Sequence, residues 1–303
     1  AVNEFQQVID QNSRLAESYR AEGIAYYSEK AYPEAIAAFS RSLNNMDDPD
    51  KEFKKDVQFY LAQARMDYGE VDKAIEVYSE ILKAGEDEQA FFLRGKAYIS
   101  MEDYKNAEKD FQRALEGCED YNLYINIYQI YVDHNKAVDG DAYLKMALEL
   151  EPQDGEDCYH RGRIYEYEKN YEAARDELKT AMEQGYEDAM LLLGRVYLEM
   201  EDPASARSMY QEYLQKSEQG AKAYNGLAMC DIYDGAYDSA LENIAQGLKE
   251  NSKEDEQGLL YNEIVAYEYK RDFATAKEKM KIYLEQYPED EAALRENEFL
   301  STR

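Results

Sequence analysis

The feature that most constrains this chain is internal: its sequence repeats at intervals of about 34 residues. Four segments align on a small residue followed three positions later by Tyr: EGIAY (22–26), RGKAY (94–98), RGRIY (161–165) and LGRVY (193–197). About nine residues after each comes Ala35, Ala107, Ala174 or Ala206, and four further on Phe39, Phe111, Leu178 or Tyr210. Taking the first residue of each copy as position 1, eight copies begin near residues 16, 55, 88, 121, 155, 187, 221 and 257.

Each copy reads as two helices. Positions 4, 8 and 11 follow the i, i+4, i+7 spacing of one helix face, as in Phe91, Gly95 and Tyr98. Position 8 is small in six copies, and position 20 is Ala in seven and Gly140 in the other. Small residues at both positions let two helices cross closely. The stretches Met101-Glu102-Asp103 and Tyr68-Gly69-Glu70 carry turn signals between them. One hairpin cannot bury its apolar face alone, so stability must come from stacking on neighbours. No Gly/Ser or Pro-rich linker interrupts the series, which predicts one continuous helix-rich body.

These motifs resemble the tetratricopeptide repeat, a helix–turn–helix unit of 34 residues. Segments 185–199 and 219–228 also resemble the related Sel1-like repeats. The resemblance implies an all-α, right-handed superhelical solenoid of about eight repeats over residues 16–290. Residues 1–15, with Val2, Phe5, Val8 and Ile9, read as an N-terminal capping helix. Residues 291–303, with Leu294, Phe299 and Leu300, read as a C-terminal capping segment.

Charge narrows the partners. Against 35 basic residues stand 65 acidic ones, a formal net charge of −30. Such a surface repels phosphate backbones and anionic lipid heads, so nucleic acid is not expected as a partner. No stretch has the roughly 18 apolar residues of a transmembrane span. The chain begins at Ala1 without an initiator Met, which fits a cytoplasmic protein or an exported, lipid-anchored one whose leader is gone. Cys118, Cys158 and Cys230 fall in different repeats, too far apart to pair. Oligomeric state is open.

Catalytic chemistry finds little support. His134 and His160 are the only histidines, and Cys158 sits at a core-facing position 4. The acidic runs Asp47-Asp48-Pro49-Asp50 and Asp154-Gly155-Glu156-Asp157 lack calcium-loop spacing and suit turns and helix N-caps. No phosphate loop, catalytic triad, metal site or cofactor site is expected. Of the 30 tyrosines, those at position 11 (Tyr26, Tyr98, Tyr131, Tyr165, Tyr197, Tyr267) and position 17 (Tyr32, Tyr104, Tyr171, Tyr237) are expected in the core.

Function is therefore sought on the opposite stripe of each first helix, where positions 2, 5, 9 and 12 line up. In proteins similar to this one, that stripe forms a concave groove for an extended peptide. Position 9 reads Ile24, Gln63, Lys96, Gln129, Arg163, Arg195, Met229 and Val265. Phe92, Asn122, Asn126, Tyr159 and His160 flank its centre, and Tyr233 and Tyr261 extend it. The functional expectation is that Lys96, Asn126, Arg163 and Arg195 hold an acidic segment or C-terminal carboxylate. The competing one is that Arg163 and Arg195 pair with Glu166, Glu199 or Asp188 as intramolecular neighbours three or four residues away. Some relatives clamp carboxylate termini with Lys and Asn; Asn126 is in place, while Phe92 and Lys96 replace the other members. The leading function is a non-enzymatic protein-interaction scaffold. Alternatives are a carrier or receptor for a small ligand or glycan, or an accessory module of a larger enzyme or envelope complex.

Overall fold

The structure, a computed structural model, describes residues 15–46 and 50–303. The described residues form helices and connecting turns, with no strand among them. In chain order these are α1 (Leu15–Ser28), α2 (Tyr32–Asn44), α3 (Lys51–Tyr68), α4 (Val71–Ala84), α5 (Glu88–Ser100) and α6 (Tyr104–Ala114). Then come α7 (Tyr121–Asp133), α8 (Ala137–Leu148), α9 (Gly155–Tyr167), α10 (Tyr171–Glu183), α11 (Ala189–Glu199) and α12 (Pro203–Lys216). The series ends with α13 (Ala221–Tyr233), α14 (Tyr237–Lys249), α15 (Lys253–Tyr269), α16 (Phe273–Gln286) and α17 (Glu291–Ser301). The expected N-terminal capping helix lies outside the described residues. Contacts divide the chain into two compact units, residues 1–147 and 148–303.

Helix starts follow from capping chemistry. Asp50, Asp87, Asp103, Asp120, Asp154, Asn170, Asp202, Asp272 and Asp290 each accept a first-turn backbone N–H through the side chain. Asp154 takes two, from Glu156 and Asp157, at 3.0 Å each. Much of the acidity at repeat junctions thus serves helix ends.

The turn inside every hairpin closes in one way. Position 15 adopts a left-handed backbone in all eight repeats, at Lys30, Gly69, Glu102, Asn135, Lys169, Glu201, Gly235 and Arg271. The next N–H then donates back to the position 11 carbonyl, for example Asp103 to Tyr98 at 2.9 Å and Asn170 to Tyr165 at 2.8 Å. This six-to-one bond satisfies a carbonyl that the helix end would orphan. Only two of the eight residues are Gly, so six turns carry a side chain in a conformation that disfavours one.

Packing inside each hairpin pairs bare backbone with bulk. A β-carbon at Gly95 would stand 2.7 Å from Cε1 of Phe111, and one at Gly162 2.6 Å from Cγ of Leu178. Gly23 meets Phe39 and Gly194 meets Tyr210 in the same way. Position 8 therefore admits the large residue at position 24, and the position 20 alanines are all fully buried beside it. Arg94 on α5 grips Asp110 on α6 through Nε and Nη2, at 2.7 and 2.8 Å, and Arg161 reaches Glu177 at the equivalent positions of α9 and α10.

In the first unit Phe39, Val57, Leu61, Tyr78 and Ile81 form one core. The second unit carries successive cores around Leu178 and Leu193, Tyr210 and Leu227, and Ile244 and Leu259. Its final core joins Ile264, Met280 and Tyr283 to Ala293 and Leu300 of α17, whose Leu294 and Phe299 stay exposed. The tyrosine expectation holds in part. Of the ten named tyrosines Tyr131 is buried and the others are half-buried, with Tyr26, Tyr165, Tyr171, Tyr197 and Tyr267 packed against the cores. Positions 11 and 17 flank the turn, where the hairpin end opens to solvent. The buried tyrosines are others, including Tyr78, Tyr121, Tyr143 and Tyr210.

Candidate functional site

The second unit holds a cavity of about 780 Å³. Its lining samples the same stripe of consecutive first helices: Tyr159 of α9, Asp188, Leu191 and Arg195 of the α11 repeat, Lys222, Asn225 and Met229 of α13, and Gly258 of α15. These are positions 2, 5 and 9, which stand one above another on a helix at three- and four-residue spacing. Tyr210 and Tyr213 of α12 close the floor, and residues 250–255, with Glu250, Glu254 and Asp255, form one rim.

The cations of this wall are already engaged. Arg195 donates from Nη2 to Oε2 of Glu166 at 2.7 Å, with its side chain 55% exposed. That partner lies on the preceding first helix, 29 residues away, and not one helical turn along. Lys222 Nζ lies 3.1 Å from Oε1 of Glu254 and 4.0 Å from Oδ1 of Asp255. The hydrogen bond to Glu254, more than any other influence, raises its ammonium pKa. Ser252 donates to Asp255 at 2.7 Å, and Asn262 donates to Asn225 Oδ1 at 2.8 Å. The Asp188 carboxylate accepts a long bond from the Tyr213 hydroxyl, 3.4 Å, and its charge also helps to raise the Lys222 pKa.

Tyr159 stands half-buried with its ring 4.9 Å from that of Tyr186 and the Arg163 guanidinium 5.9 Å from its centroid. Burial pushes its hydroxyl pKa up, and Arg163 pulls against that. His160 is 5% exposed, with Nδ1 3.3 Å from Arg163 and Nε2 3.7 Å from Glu156. Its expected place on the groove wall is corrected: position 6 turns the ring into the packed side. Tyr233 is 54% exposed, while Tyr261 packs edge-on to Tyr283 at 5.8 Å.

The remaining sequence candidates belong to the first unit. Gln63 and Gln129 donate to Asp67 and Asp133 one turn on, at 3.1 and 3.0 Å. Phe92 is half-buried 6.1 Å from Phe111, Asn122 donates its backbone N–H to Asp120, and Lys96 and Asn126 are exposed. Of the expected basic ladder, Lys96 and Asn126 belong to the first unit and Arg163 and Arg195 to the second. Sequence reading missed Lys222, Asn225, Glu254 and Asp255. Reading positions 2 and 5 through every repeat would have found the first two; the acids sit at the start of α15, ahead of its repeat register. Among the described residues no group of His, Cys, Asp or Glu is arranged to hold a metal ion, and no helix is long and apolar enough to cross a membrane.

A hairpin repeat with these turns, crossings and inner stripes defines a helical-repeat scaffold. Sequence profiles described as tetratricopeptide repeat match residues 88–120 and residues 1–50, 159–221 and 191–256, together more than half of the chain. The chain belongs to the tetratricopeptide repeat family. Its later repeats match as tetratricopeptide repeats, including the segments whose wording resembles Sel1-like repeats. No curated protein matches. Among solved structures, a tetratricopeptide repeat protein from Parabacteroides merdae aligns at 12% identity and TM-score 0.52, covering 83% of this chain and 100% of that one. Yeast Tom70 aligns at 15% identity and TM-score 0.55, covering 94% of this chain and 74% of that one. The family places the protein among interaction scaffolds, a generally non-catalytic class that binds protein or peptide partners.

Proposed function

We propose that the second unit holds an extended peptide segment of a protein partner along the inner stripe of α9, α11, α13 and α15. The observation that supports this most is the lining of the cavity, where position 5 carries apolar Leu191 on α11 and polar Asn225 on α13 while position 9 reverses the order with Arg195 and Met229. A regular alternation suits a chain that offers side chains at regular intervals, and a concave wall buries them from several sides.

The test uses peptides selected from a random library on the immobilised protein. Met229 is 40% exposed and lines the cavity, so Met229→Asn alters the groove without adding charge or opening the core. Selected peptides should bind this variant about tenfold more weakly or worse. Its unfolding free energy should stay within about 0.5 kcal/mol of the parent. Undiminished binding by the variant would place the peptide elsewhere.

A further inference from the structure

Resting on that reading, we infer that the segment taken by the second unit is cationic: a Lys or Arg side chain seats between Asp188 and the carboxylates of Glu250, Glu254 and Asp255. The charge lining the cavity is four acids against two bases. Both bases are engaged, Arg195 by Glu166 and Lys222 by Glu254 and Asp255. Asp188 and Glu250 are exposed, and Asp188 shares the one ammonium of Lys222 with Glu254 and Asp255. An acidic segment would have to strip Arg195 or Lys222 from its partner while facing four carboxylates. A basic one meets carboxylates in excess of the cations that serve them.

Lys222 shows what this corner accepts. Its ammonium rests against Glu254 and near Asp255 in the cavity, and its side chain is 53% exposed. An incoming amine or guanidinium can share that carboxylate pair or displace Lys222 toward water without unpacking a helix. Tyr159, Tyr210 and Leu191 supply a low-dielectric wall behind the charges, which focuses their field into the opening. The net charge of −30 draws a cation toward the protein from farther off, and the cavity decides where it stays.

The experiment compares three short labelled peptides of one length, alternating Leu with Lys, with Ser or with Glu. Binding is followed by fluorescence anisotropy at low and at physiological salt. The Lys peptide should bind at least about tenfold tighter than the Ser peptide, and the gap should narrow with salt. Asp188→Asn with Glu250→Gln should cut that advantage several-fold, weakening the Lys peptide far more than the Ser peptide. A control pair away from the cavity, Glu34→Gln with Glu108→Gln, changes net charge equally and should keep the advantage. Equal affinity of the three peptides, a tighter Glu peptide, or equal loss in both double variants would overturn the cationic assignment alone. Binding by none of the three would remove the groove reading itself, and this inference with it.

Discussion

Tyr210 of α12 presses its ring onto the backbone of Gly226 in α13, the first helix of the next repeat, so closely that a β-carbon at Gly226 would overlap the ring. The other side of the ring meets Gly194 of its own hairpin, where an added β-carbon would stand 2.6 Å from Cζ. Held from both sides and 4% exposed, Tyr210 cannot slide away. Gly226→Ala should therefore cost about 1–3 kcal/mol, as overpacking a filled core does. Urea unfolding at fixed pH measures it; an unchanged midpoint would show slack around the ring.

The left-handed turns give a prediction of opposite sign. Glu201 has φ of 59°, a conformation that is easier for Gly than for a residue with a β-carbon. Relief of that strain competes with the extra backbone entropy Gly has when unfolded. The strain, about 1–2 kcal/mol, is the larger of the two. Glu201→Gly should raise stability by about 0.5 kcal/mol, and Glu102→Gly, at the same turn position with the same φ, by a similar amount. Thermal unfolding of the two single variants and the double tests both sign and additivity.

The sequence exposes the crossings because bulk there is forbidden. Ala35, Ala107 and Ala174 recur with a spacing that only a repeated close approach requires, and all three are fully buried. The hairpin architecture and its family follow from such residues. The turn conformation does not, since six of eight left-handed positions carry no Gly to betray them. Gly226 also escapes the pattern: it sits at position 6, and the ring it admits comes from the preceding repeat. Spacing also says which side of a helix Arg195 faces but not that Glu166, a repeat away, reaches it first. Contacts between repeats depend on superhelical geometry, and a one-dimensional period does not encode it.

A last prediction concerns pH and the end of the chain. Glu268 near the end of α15 faces Glu296 of α17, and its Oε1 is buried without a hydrogen-bond partner. Burial first, then the neighbouring Glu296 charge, push its carboxyl pKa from an ordinary 4.5 up to about 7. Between those values the folded chain keeps a proton that the unfolded chain has lost. Stability must then fall as pH rises from about 4.5 to about 7, and stay reduced above that. The carboxylates of Asp202, Asp272 and Asp290, held below their usual range by hydrogen bonds, act at more acidic pH with the opposite sign. Glu268→Gln keeps the shape and removes the charge, so it should flatten this window and add about 1–2 kcal/mol above neutrality, after allowance for solvent screening. Unfolding free energies across the window, with amide exchange in α17 as a local reading, decide the matter. A Glu268→Gln profile parallel to the parent would mean that the two carboxyls titrate independently and that α17 docks without regard to pH.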